Sequence, residues 1–127
     1  MEVVAVLGAS SDSSRYAYKA MKMLEEYGHN PIPVHPREKE VLGKSVFPTL
    51  GDLAKSGQKI DTVTVYVNAA ISEKYEKDFV ALKPKRVIFN PGAESPKLEQ
   101  ALSKNGIEVV HACTLVMLRT DQYDQSA

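Results

Sequence analysis

The segment Gly8-Ala9-Ser10-Ser11-Asp12-Ser13-Ser14-Arg15 follows an apolar run, Val3 to Leu7, and leads into a stretch with helical spacing. Small side chains let backbone N–H groups approach a ligand, and the positive end of a helix favours an anion. The segment therefore has the composition of a phosphate or pyrophosphate seat. The alternative is an ordinary capped turn that binds nothing. The full Gly-x-Gly-x-x-Gly spacing is missing, as is the Gly-Lys-Ser/Thr ending that would bring a lysine to a γ-phosphate. A second group, Val34-His35-Pro36-Arg37, ends another apolar run. NAD sites place an acid there to accept from the ribose hydroxyls, and these four residues offer only neutral and basic groups. Arg37, Lys39 and Lys44 suit a ribose carrying an extra phosphate, which favours NADP or coenzyme A over NAD. The competing reading is a solvated loop in which Arg37, Glu38, Lys39 and Glu40 alternate in charge.

Asn90-Pro91-Gly92-Ala93 is a third candidate, because glycine permits a backbone conformation, or a close approach to a ligand, that other residues do not. Tyr66 and Asn68 end a fourth run and would border an adenine or ribose pocket, Asn68 by hydrogen bonding; a solvated strand end is the simpler account. His111 and Cys113 invite a nucleophile reading, but a cysteine beside Leu115, Val116 and Leu118 has the surroundings of a small core residue. His29, His35 and His111 are far apart and have no evident metal-ligand partners.

These residues must be positioned by regular elements. β-Branched runs at Val3 to Leu7, Thr62 to Val67, Arg86 to Phe89 and Glu108 to His111 read as strands, with a weaker, proline-containing one at Pro31 to Val34. Most are continuously apolar, as a parallel sheet covered on both faces requires. Helices are expected from Ser14 to Tyr27, from Thr49 to Gly57, from a Ser72 cap to Pro84, and from Ser95-Pro96 to Gly106. The alternation implies an α/β fold: a doubly wound, five-stranded parallel sheet in the order 3-2-1-4-5. Winding would then reverse between the first and fourth strands, so the loops after Leu7 and Phe89 should border the ligand crevice.

With 127 residues, 43% hydrophobic and 25% charged, the chain suits one compact domain. The expected domain spans 1–118 and a polar tail 119–127. Sixteen basic residues balance sixteen acidic ones, which leaves no basic footprint for nucleic acid. The apolar runs fall far short of the ~20 residues of a membrane-spanning helix. The single cysteine, Cys113, and the absence of a basic, apolar leader point to a cytoplasmic protein. A homodimer is the base-rate expectation for assembly.

The motifs, taken in order, resemble a family. Val6-Leu7-Gly8-Ala9-Ser10-Ser11-Asp12, the stretch from Glu26 through Gly28 and Pro33 to Pro36, and Val41-Leu42-Gly43 through Pro48-Thr49-Leu50 carry the likeness. It continues through Asp61-Thr62-Val63-Thr64-Val65, Asn105-Gly106-Ile107-Glu108-Val109-Val110 and Cys113-Thr114-Leu115. Together they are similar to the small stand-alone coenzyme A-binding domain proteins, whose Rossmann-like fold is that of the nucleotide-binding domain of the succinyl-CoA synthetase alpha subunit. The resemblance implies binding of coenzyme A or an acyl-CoA, with Gly8 to Arg15 at the pyrophosphate and His35-Pro36 near the adenosine. Asn90-Pro91-Gly92 would border the path of the pantetheine. This chain departs from the family pattern at His35, where asparagine is usual, at Tyr66-Val67-Asn68, where an arginine is common, and at Phe89-Asn90-Pro91, where a glutamine is common. No catalytic constellation accompanies these motifs, so non-catalytic binding is expected. An NADP-dependent redox domain and a ligand-free interaction protein are the alternatives.

Overall fold

The computed structural model describes residues 1–126. Five parallel strands form one sheet: β1 (Val3–Leu7), β2 (Asn30–Val34), β5 (Thr62–Val65), β6 (Arg86–Phe89) and β7 (Glu108–His111), in the spatial order β2-β1-β5-β6-β7. Two further short strands, β3 (Glu40–Val41) and β4 (Lys44–Ser45), make a small antiparallel hairpin. The helices are α1 (Tyr16–Glu26), α2 (Leu50–Lys55), α3 (Ala69–Ser72), α4 (Glu76–Leu82), α5 (Pro96–Lys104) and α6 (Thr114–Arg119).

The doubly wound parallel sheet is the expected one, and the pattern 3-2-1-4-5 holds with an addition. Outside β2, Phe47 forms a single parallel bridge to Val34, its N–H donating to Pro33 O at 3.0 Å while His35 N donates to Phe47 O at 3.0 Å. That bridge occupies the third place. Thr62–Val65 therefore sits beside β1 in the fourth place, not beside β2, and winding reverses between β1 and β5. The loop opposite Gly8 is thus the one after Val65, and the loop after Phe89 lies one strand further out. The prolines of β2 fit this arrangement. His35 shows which alternate N–H groups point outward, and Pro31 and Pro33 share its side, so neither removes a bond to β1.

Apolar residues on both faces of most strands explain the continuous runs, while β5 carries the buried Thr62 and Thr64 on one of its faces. Ala5, Leu7, Val63, Val65, Val87 and Phe89 pack against Leu50, Leu53, Phe79, Leu98 and Leu102 on one face. Val4, Val6 and Ile88 pack against Met21, Leu24, Met117 and Leu118 on the other. The α1 stripe of Ala17, Ala20, Met21 and Leu24 is buried as its spacing requires. The helix starts two residues later than Ser14 because the Asp12 carboxylate accepts from both Ser14 N and Ser14 Oγ, leaving Arg15 extended. Thr49 caps α2 and Ser95 caps α5, each accepting from the N–H three residues on. The third helical segment begins earlier than expected. Asn68, not Ser72, caps it, and a 3-10 turn at Glu73–Tyr75 separates α3 from α4.

The segment after Leu118, expected as a polar tail, folds back in part. Tyr123 is 2% exposed, its ring 4.9 Å from that of His29 and 4.3 Å beneath the Arg86 guanidinium. Ala127, the end of that expected tail, lies outside the described residues. Among the described residues no helix is long and apolar enough to cross a membrane.

Candidate functional site

Gly8 fixes the geometry where the winding reverses. Its φ is +92°, and a Cβ there would stand 2.8 Å from Val67 Cγ1 and 3.1 Å from Tyr66 O. Only glycine fits both the backbone angle and the close crossing of the two loops. Gly8 N and Ala9 N then both donate to Val34 O, at 2.9 and 3.2 Å, which turns the chain across the end of β2. Ala9 is fully buried, and Ser10 accepts from Asp12 N through its hydroxyl, so both hold the loop in shape.

Further along, the loop's own donors are already engaged. Ser11 N donates to Glu38 Oε2 at 2.8 Å, and Ser11 Oγ lies 2.9 and 3.1 Å from the two Glu38 oxygens. Asp12 accepts from Ser14 and stands 3.9 Å from Arg15 Nε. These hydrogen bonds hold both carboxyls below the usual carboxylate range. An acid does therefore reach the first loop from the end of β2, which corrects the expectation of neutral and basic groups alone.

Three cavities line the carboxyl-terminal edge of the sheet. The central one, about 270 Å³, is walled by Gly8, Arg15, Tyr16, Tyr66, Asn68 and Gly92. It faces the first turn of α1, which has neither a side-chain cap nor an acidic residue to satisfy its N–H groups. A second, about 320 Å³, shares Gly8 and Val67 with it and extends to His35, Pro36, Arg37 and Lys74. A third, about 330 Å³, shares Tyr16, Tyr66, Asn90 and Pro91 with the central one and reaches Cys113 and Arg119.

The edge thus brings together Gly8, Arg15, His35, Pro36, Arg37, Tyr66, Asn68, Asn90, Pro91 and Gly92. It leaves Ala9, Ser10, Ser11, Ser13, Ser14 and Lys39 outside all three cavities. Proximity is not availability. Asn90 is 3% exposed and its amide is fully engaged: Nδ2 donates to Thr64 Oγ1 (2.7 Å) and Val65 O (2.9 Å), and Oδ1 accepts from Thr114 N (2.9 Å). Tyr66 is half-buried, and its hydroxyl has no hydrogen-bond partner although the Thr64 and Thr114 hydroxyls lie around it. Burial pushes this phenol well above its ordinary value, so it stays protonated. His35 Nδ1 accepts from Arg37 N (3.0 Å) and Glu38 N (3.1 Å), and burial pulls its imidazole below the ordinary value.

Sequence reasoning missed Tyr16, Lys74 and Arg119. Lys74 lies on the 3-10 turn, and a helix counted from Asn68 instead of Ser72 would have brought it toward the β2 side. Nothing in the spacing marks Arg119. His111 Nε2 is paired with Glu99 Oε1. Among the described residues no group of three or more His, Cys, Asp or Glu is placed to hold a metal ion.

Residues 2–119 match the model of a family described as the CoA binding domain. The chain belongs to the CoA-binding domain family. A solved structure of a protein described as uncharacterized is 42% identical, covers 97% of this chain with 98% of its own, and superposes with a TM-score of 0.87. One from Thermus thermophilus is 30% identical, covers 96% of this chain with 90% of its own, and gives a TM-score of 0.85. The ADP-forming acetate–CoA ligase I of Archaeoglobus fulgidus is 28% identical over 130 residues, a match that takes in 94% of this chain. The chain spans 18% of that ligase's length. In this CoA-binding domain each departure from the family pattern has a structural task. His35 fastens its own turn, Asn68 caps α3, and Asn90 ties β6 to β5 and α6.

Proposed function

We propose that the chain binds coenzyme A, free or acylated, along the carboxyl-terminal edge of the sheet, and carries out no reaction of its own. The observation that carries this reading is the uncapped first turn of α1, open to the central cavity beside Gly8. A diphosphate there would accept from the N–H groups of Tyr16 and Ala17, with Arg15 adding positive charge. Strands β1 and β5 flank the reversal of winding, where open α/β sheets take their ligands.

The adenosine fits the cavity bounded by His35, Pro36 and Tyr75, and Arg37 with Lys74 supplies two cations for the ribose phosphate. The pantetheine arm would leave the central cavity past Tyr66 and Pro91 toward the third. Non-catalytic binding is supported by a Tyr66 hydroxyl packed among threonines. A proton donor for redox chemistry needs to reach its substrate, and that hydroxyl is buried.

Calorimetric titration with CoA, dephospho-CoA, NADP and NAD at one salt concentration tests the proposal. CoA should bind most tightly, and the step from CoA to dephospho-CoA should lose affinity through Arg37 and Lys74. Tightest binding of NADP would favour the redox reading. Silence from all four would leave an interaction protein that keeps the fold.

A further inference from the structure

The cavity toward which the pantetheine arm points does not end at Cys113. It shares Tyr16, Leu115 and Arg119 with a fourth cavity, about 560 Å³, that lies between α1 and α6. Helix α1 lines this space with Lys19, Lys22 and Glu26, whose spacing of i, i+3 and i+7 sets them in one stripe on its exposed side. Arg119, at the end of α6, completes the wall from the other helix. The lining therefore carries three cations against one carboxylate, in a chain whose charges balance. Among the described residues none of these four side chains takes part in an ion pair. Lys19 stands 5.4 Å from the centroid of the Tyr16 ring, and Arg119 engages only its Nε, which donates to Leu115 O at 3.4 Å. Solvated lysines on a helix face are common and by themselves mark nothing. Here the cations converge from two helices on a space that continues the ligand's own path, where a chain leaving the pantetheine sulfur must run. Tyr16 and Leu115 stand at the junction of the two cavities and Lys19 with Lys22 beyond it, an order that suits methylenes followed by an anion.

We propose that the cavity between α1 and α6 is the acyl subsite and that it selects acyl groups ending in a carboxylate, with Arg119 and Lys22 holding the distal oxygens and Lys19 adding charge. The inference rests on the coenzyme A reading above and names the acyl class that reading leaves open. A carboxylate matches the forked donors of a guanidinium, whereas a plain alkyl end would bring hydrocarbon against three cations and draw nothing from them. Glu26 trims the positive excess, which suits a single carboxylate better than a more highly charged phosphate.

The test is calorimetric titration with CoA, S-butyl-CoA and S-carboxypropyl-CoA. The two thioethers match in chain length, differ in the terminal group and do not hydrolyse as thioesters do. Wild type should bind S-carboxypropyl-CoA about tenfold tighter than S-butyl-CoA, the ratio that one charge-assisted hydrogen bond gives. Lys22→Gln should cut that ratio to about threefold, the loss of one exposed charge, while CoA and S-butyl-CoA bind as they do to wild type. Arg119→Gln should cut the ratio further, and Arg119→Lys should restore part of it. Both side chains are exposed, so circular dichroism should show the variants folded. Raised salt should shrink the wild-type ratio. Equal affinity of wild type for the two thioethers would overturn the proposal and leave coenzyme A binding in place. A Lys22→Gln variant that loses CoA, S-butyl-CoA and S-carboxypropyl-CoA affinity alike would also overturn it, by showing that these cations read a phosphate of the nucleotide itself. Silence from all three ligands would refute the coenzyme A reading and the acyl subsite with it.

Discussion

Gly8 combines a backbone angle and a contact that each exclude a side chain. Gly8→Ala should destabilise the fold by about 2–3 kcal/mol, from a left-handed β-carbon together with displacement of Val67 and the Tyr66 carbonyl. Urea denaturation measures the shift, and nucleotide binding should fall with it because the loop can no longer cross β5. His35 gives a signed pH dependence. Burial, the largest cause, lowers its folded pKa beneath an unfolded value of about 6.5, with Glu38 opposing and Arg37 reinforcing the shift. Between the two values the unfolded chain holds more protons, so stability present at neutral pH declines as pH falls below about 6.5 and levels off beneath the folded pKa. Urea midpoints at pH 7.5 and 5.5 should show this loss, and His35→Gln should flatten it. At this scale the sequence was only partly readable. Gly8 and Arg37 could be picked out by type, but that Ser11 faces Glu38 and that Asn90 is wholly engaged depends on contacts 27 and about 25 residues away.

Elements were legible where local signals agreed. Helix α5 has Ser95 as cap, Pro96 at its first turn and Gly106 after its end, and it lies where those residues put it. The segment after β5 was misread because Ser72 and Asn68 are both competent caps. Asn68 wins by coming first along the chain, three residues past the end of β5, where its Oδ1 accepts from Ile71 N. Asn68→Ala should therefore cost about 1 kcal/mol, and if the 3-10 turn carrying Lys74 shifts with it, CoA affinity should drop relative to NAD. Circular dichroism melts and paired titrations measure the two effects. Asn90→Ala is the harsher test, since it leaves Thr114 N without its acceptor and cuts the side-chain ties from β6 to β5 and α6. A loss of about 2–4 kcal/mol is expected, read as a lower denaturation midpoint.

The whole molecule was legible as a class before its order was. Continuously apolar strands alternating with amphipathic helices leave few arrangements besides a parallel sheet covered on both faces. The outer place beside β2 is filled by a single bridge at Phe47, too short to leave any periodicity, so which strand lies directly beside β1 is visible only in the structure. The polar segment after Leu118 offers a similar case. One buried aromatic, Tyr123, anchors a polar sequence, and it packs against His29 and Arg86 at the end of the sheet away from the cavities. Tyr123→Ala should cost about 3–5 kcal/mol in stability while leaving nucleotide selectivity unchanged in the fraction that remains folded.

The central claim is that the edge between β1 and β5 holds coenzyme A with its diphosphate on the first turn of α1. Mapping amide resonances of the labelled protein during a CoA titration tests it most directly. Saturable shifts at Gly8, Tyr16, Ala17 and Gly92, with smaller ones at Arg37 and Lys74, are the result this account predicts. Shifts absent there, or gathered at the opposite end of the sheet around His29 and Tyr123, would contradict it.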